Sequence, residues 1–249
     1  MTTIDHVKYV KTLEIQSPIA GFPSAKGGAP VIEGAEQSFI NDKSLVSFVS
    51  DVSGQRRNDV LNSILIAQLA ANKQFPDELQ ILDWYKAFIN VLNNLGWTIE
   101  AAEFSSFRSD TDVFEVENAI IDILTNAFGE VFKTVIIKTL ASIKGLSDAN
   151  GKITAFEKNT HSLSRGAFQI GLAKEENGVV MIQLGTFMLT SSSQIKRILF
   201  FKSTKEKTRL DYCSRKGTLN EEVYANIRKP VSDKLAGKAT EFIAEVEIN

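Results

Sequence analysis

One cysteine, two histidines and five prolines in 249 residues exclude several kinds of protein before any motif is sought. A lone cysteine forms no internal disulfide, so nothing ties the fold to an oxidising compartment. His6 and His161, without an HExxH or a CxxC, leave too few ligands for a zinc centre, and neither metal nor cofactor is expected. The GGAP at 27–30 lacks the Lys-Ser/Thr of a phosphate loop and a strand before it, and no GxSxG presents a nucleophilic serine. A thiol dyad of His161 with Cys213 is weighed against a plain surface histidine at a strand end, and the plain reading is preferred. The expectation is therefore no enzyme. Apolar runs such as SILIAQLAA fall far short of the roughly 20 residues that a membrane-spanning helix needs. The opening MTTIDHVKYVKTLEI sets Asp5 and lysines ahead of any apolar run, which is not the layout of a signal peptide, and a soluble chain is expected.

What is present is an ordinary globular composition, 43% hydrophobic and 23% charged, long enough to bury a substantial core. Residues 16–34 gather three of the five prolines with several glycines, and 1–50 is expected as an irregular lead or strap. From Asn58 the apolar period turns helical through Leu61, Ile64, Leu65 and Leu69 and stops at Phe75-Pro76. A second helix follows through Ile81, Tyr85, Phe88, Leu92 and Leu95, with Gly96 as its C-terminal cap. GWTIEAAEFSSF suits a strand. Asp112 with Glu115 offers a capping box for one long helix or for two broken at Gly129, closing at Gly145.

Residues 151–216 read as an antiparallel meander of KITAFEK, RGAFQIGLA, VVMIQLGTFMLT, IKRILFFKS and KTRLDYC. Asn177-Gly178 supplies the hairpin turn. Thr218 with Glu221 begins a helical tail over 218–247 that Pro230 interrupts. A helical part (55–145) followed by strands implies an α+β architecture. The strands near Val180–Leu189 and Ile198–Phe201 are apolar on both faces and need helices on each side, so 51–249 is taken as one domain.

Charge concentrates late in the chain. Lys196, Arg197, Lys202, Lys205, Lys207, Arg209, Arg215 and Lys216 stand against only Glu206 and Asp211, in a protein whose net charge is −2. If 203–213 is a regular strand, Lys205, Lys207, Arg209 and Cys213 share a face with Asp211, which makes a basic stripe. It is read either as lysines guarding an edge strand or as a landing face for anionic lipid headgroups, each charge contributing about 1 kcal/mol near an anionic surface. Nucleic acid is disfavoured as a partner, because Phe200 and Phe201 point opposite ways and make no stacking platform. Cys213 among these cations is a candidate for modification if exposed, with an inert, half-buried cysteine as the plainer reading.

The two helical hairpins with DVLNSILIAQLAAN, and the strand region with ENGVVMIQLGTFML and RILFFK before a C-terminal helix, resemble the cytolytic delta-endotoxins, or Cyt toxins, over about residues 55–245. The resemblance implies one α+β domain, a sheet sandwiched by helical hairpins. It also implies a membrane-binding, pore-forming or membrane-perturbing toxin or virulence protein, released without a classical signal peptide, that binds lipid and assembles as a homo-oligomer. Landing through 196–216 and displacement of the 58–95 hairpin is the expected sequence of events. The density of Lys and Arg after Phe201 departs from the family's pattern and argues against deep insertion there, unless those residues face water. The competing expectation is a non-lytic binding or scaffold protein of the same fold, anchored through an acylated Cys213.

Overall fold

Asn177 and Gly178 hold φ of 53° and 78°, the left-handed pair that lets a two-residue turn follow the strands' own twist. The turn is solvent-exposed in a computed structural model that describes residues 5–17, 34–146 and 151–248. In chain order, α1 (His6–Thr12) precedes β1 (Gln37–Asn41), β2 (Ser44–Phe48), α2 (Gly54–Gln74) and α3 (Ile81–Asn94). The short strands β3 (Trp97–Ile99), β4 (Ser105–Phe107) and β5 (Val113–Glu115) lead into α4 (Val116–Phe128), α5 (Glu130–Gly145) and α6 (Lys152–Thr160). Then come β6 (Arg165–Glu176), β7 (Val179–Ser191), β8 (Lys202–Thr204), β9 (Thr208–Leu219), α7 (Glu221–Leu235), α8 (Ala239–Phe242) and β10 (Ile243–Val246).

The main sheet runs β10-β1-β2-β6-β7-β9-β3, with β4 also pairing β9, and β5 pairs β8 in a separate ribbon. All neighbours are antiparallel except β2 and β6, which are parallel from Ser44↔Gln169 to Phe48↔Ala173. The antiparallel sheet expected from the sequence is thus mixed at one pairing.

Alternation along the strands feeds two cores. Val180, Ile182 and Leu184 face α2, α3 and α7 on one side. Phe168, Ile170, Phe187 and Leu189 face α4 and α5 on the other, and the rings of Phe168 and Phe187 stack at 5.0 Å. Both cores draw on residues before and after 148, so the chain folds as one α+β domain with helices on both faces of the sheet.

The helical hairpin 58–95 is α2 with α3, and Gly96 at φ 92° closes it as its position predicts. Gly129 at φ 89° separates α4 from α5. Other expectations are corrected. Residues 1–50 are no irregular lead, because β1 and β2 are buried inside the sheet; most of 16–34 lies outside the described residues. KITAFEK is helix α6, since Ile153 and Phe156 recur at helical spacing on a buried face. IKRILFFKS forms turns up to Phe201 and joins β8 only at Lys202. Its apolar residues are buried without a ladder.

GWTIEAAEFSSF gives two short strands, β3 and β4. Asp112 caps nothing; α4 follows β5 directly. Asn220, not Thr218, caps α7 by accepting from the Val223 N–H at 3.2 Å. That helix continues through Pro230 because Ile227 and Val231 anchor it in the core, and the tail ends in β10.

Candidate membrane-binding surface

The expected basic stripe needs an unbroken strand, and the backbone denies it one. Residues Lys205–Lys207 form a 3-10 turn between β8 and β9, so the alternation restarts at Thr208. The eight basic residues consequently separate. Lys202 Nζ lies 2.7 Å from Glu115, and Lys205 Nζ lies 2.9 Å from Asp112, both partners on or beside β5. Arg209 pairs with Asp211 at 2.8 Å on its own strand. Arg215 donates to the carbonyls of Ala102 at 2.8 Å and Glu100 at 3.2 Å, holding the segment before β4 over the sheet.

Lys196, Lys207 and Lys216 are exposed and make no ion pair among the described residues. Lys216 lies opposite Gln183 on the α4–α5 face of β9, whereas Arg209 and Arg215 oppose Thr190 and Leu184 on the α2–α3 face. Three lone lysines replace the eight-residue stripe.

Cys213 lies on the α2–α3 face of β9, under the same 100–104 segment that Arg215 fastens. It is 2% exposed, and its Sγ donates to the Ala102 carbonyl at 3.6 Å. Burial pushes its thiol pKa up, more than the nearby Arg215 lowers it. Of the two readings of Cys213, the exposed, cation-activated thiolate does not fit this burial: the covering segment was invisible to strand periodicity. His161 is likewise no surface residue. It ends α6 with a side chain 10% exposed, beside Glu157.

Around Glu157 the structure assembles a polar group that the sequence did not announce. Its Oε2 accepts from the Ile198 N–H at 2.8 Å and sits 3.3 Å from His161 Nδ1, while Arg197 Nε is 4.0 Å from Oε1. Arg197 also lies over the Phe200 ring at 4.7 Å. Burial raises the Glu157 carboxyl to about 7, against the lowering effects of the Ile198 N–H and Arg197, and burial lowers His161. A cavity of about 410 Å³ opens beside them, with Lys196 and Arg197 in its wall. These groups tie the turns at 195–201 to α6, which explains how an apolar segment without strand partners is held. Among the described residues no cluster of His, Cys, Asp or Glu is arranged to hold a metal, and no helix is long and apolar enough to cross a membrane.

No family model matches the chain, and no curated protein matches its sequence. The resemblance to Cyt toxins drawn from the sequence meets the same kind of protein among solved structures. One, described as a delta-endotoxin, is 12% identical with a TM-score of 0.45, the match covering 83% of this chain and 87% of that one. The activated Cyt2Ba monomer from Bacillus thuringiensis subsp. israelensis is 13% identical with a TM-score of 0.42, covering 72% and 97%. The Evf virulence factor is 13% identical with a TM-score of 0.41, covering 84% and 85%.

Proposed function

We propose that the chain is a membrane-acting protein of toxin or virulence type that lands on anionic lipid, self-associates and perturbs the bilayer by exposing its sheet. The observation that carries this reading is the length of three neighbouring strands. β6, β7 and β9 run 12, 13 and 12 residues, and a tilted strand needs about 9–11 to cross a hydrocarbon core. Phe168, Phe187 and Tyr212 stand in register as a row across them, with Leu189 beside Leu210, all on the face covered by α4 and α5. The other face of β9 carries Arg209, Asp211 and Arg215.

An Arg or Lys facing lipid at the midplane costs about 2–4 kcal/mol, so the aromatic face meets lipid and the face that carries Arg209 and Arg215 meets water. Lys216, near the end of β9 on the aromatic side, reaches the headgroups by extending its stem.

The cover that must leave is then α4–α5, not the 58–95 hairpin. α2 is buried along most of its length and fastened to α7 by Asp59 and Arg228, whose Oδ2 and Nη2 are 2.8 Å apart. The α4–α5 pair leaves Val131 and Ile137 exposed on its outer side and turns on Gly129. Dye release from phosphatidylglycerol vesicles, compared with phosphatidylcholine vesicles, tests the reading. Release from the first and little from the second is expected. Binding without release assigns the non-lytic binding or scaffold alternative, and absence of both ends the membrane reading.

A further inference from the structure

Away from the basic segment, a cavity of about 310 Å³ lies between the α2–α3 connection, the end of α6 and strands β6 and β7. Its apolar walls include Phe75, Pro76, Ile81, Trp84 and Met188. Lys43 projects into it from the two-residue turn between β1 and β2. The placement is fixed from behind. Asp42 holds φ 52°, unfavourable for a residue with a side chain, and three separate elements keep it there.

Asn72 of α2 and Asn159 of α6 donate to its carboxylate at 3.1 and 2.9 Å, and its own N–H donates to the Phe242 carbonyl at 3.0 Å. Trp84 is fixed in turn, its Nε1 donating to Asn72 Oδ1 at 2.7 Å. The Lys43 ammonium therefore rests 5.3 Å from the centre of the Trp84 ring.

A cation over an aromatic face satisfies part of its electrostatic demand and none of its hydrogen bonds. No carboxylate of the described residues comes within ion-pair distance of Lys43, and burial lowers its pKa despite the attraction of Asp42 and Glu78. Arg165, exposed and without an ion pair among the described residues, lines the same cavity, as do Lys158 and His161. The acids at the wall are Asp77, whose carboxylate caps the Leu79 N–H, and Glu78. Asp42 sits behind Lys43, with burial raising its carboxyl pKa.

We propose that this cavity binds a small phosphate monoester, with Lys43 as the central counter-charge, Arg165 as the second and Trp84 against the apolar part of the ligand. The volume is at the small end of ligand pockets, which suits a group the size of glycerol phosphate, free or as the headgroup of phosphatidate. A phosphate oxygen supplies the acceptors that the ammonium lacks, in a site where charge-assisted hydrogen bonds are strong. The site stands apart from the sheet-opening proposal, since a chain that leaves vesicles intact can carry it equally.

The test uses the two tryptophan indole N–H signals in proton–nitrogen spectra of the full chain, with Trp84→Phe to assign them. Titration with glycerol 3-phosphate at constant ionic strength should shift the Trp84 signal saturably, leave Trp97 in place and raise the melting temperature. Lys43→Met, which keeps the stem, should weaken binding by about tenfold or more, the weight of one charge-assisted contact. No saturable shift in the folded wild type, or the same shift with sodium chloride alone, overturns the proposal whether or not the variant folds. Equal binding by a folded Lys43→Met overturns it too. With a positive titration, competition by glycerol 3-phosphate against phosphatidate vesicles assigns the ligand to lipid, and lack of competition assigns it to a free ester.

Discussion

At the residue scale, burial favours the uncharged form of both Glu157 and Cys213, and it brings only Glu157 into the neutral range. Glu157 has a folded pKa of about 7, above its ordinary value, so its protonated form stabilises the fold below pH 4.5, and that contribution is lost as pH rises through about 7. His161, lowered by burial, has the reverse sign: its contribution is present above its ordinary value and is lost as pH falls. Lys158, Lys196 and Arg197 line the same cavity. Comparing melting temperatures of the parent and Glu157→Gln from pH 5 to 8 separates the two. The parent should lose stability relative to the variant as pH rises, by about 3 kcal/mol at most, which is several degrees for a chain of this size. Parallel curves would remove Glu157 from the pH dependence.

Cys213 is expected to resist soluble maleimide in the folded protein and to react at once in denaturant. Cys213→Ser should retain vesicle binding and leakage within about threefold, since a buried thiol with a raised pKa is a packing group. Fast native labelling would show that the 100–104 segment lifts. None of this was legible in the local sequence, because the groups that bury Cys213 and Glu157 come from distant segments: Ala102 is 111 residues from Cys213, and Ile198 is 41 from Glu157.

At the scale of elements, the contact of α4 with β7 is the one to lock. A Cβ built on Gly185 would stand 2.4 Å from Leu124 Cδ2, so glycine is what allows the helix to lie this close to the sheet. Leu124→Cys with Gly185→Cys, in a Cys213→Ser background, places two thiols across that contact. When oxidised, this variant should bind anionic vesicles and fail to release dye, and reduction should restore release. Equal release in both states would show that α4 does not move.

The elements themselves were readable where period and punctuation agreed. α2 and α3 flank Pro76, and Asn177-Gly178 joins β6 to β7. They were misread where a short apolar run fits two periods, as at Ile153 in α6, or where burial comes without a ladder, as at Ile198 and Leu199. The placement of Lys43 over the cavity needs α2, α6 and the end of α8 to meet at Asp42, and no local pattern announces that meeting.

At the scale of the molecule, a net charge of −2 leaves landing on anionic lipid to local patches. Lys202, Lys205 and Arg209 already face carboxylates, so reversing them breaks internal pairs as well as the surface. Lys196, Lys207 and Lys216 are the informative set. Changing all three to Glu should weaken binding to phosphatidylglycerol vesicles by about tenfold or more at low salt, with an unchanged circular dichroism spectrum, and 0.5 M salt should shrink the difference. Unchanged binding would remove these lysines from the landing step.

The strand order carries a consequence in time as well as in space. β1 lies between β2 and β10, and Gln37 meets Glu245 across 208 residues of chain. During synthesis β1 leaves the ribosome long before its outer neighbour exists, and it presents an open hydrogen-bonding edge until β10 arrives. Refolding is expected to finish with this closure, and a newly made chain stalled short of β10 would be the form that a second copy, or a chaperone, is best placed to capture.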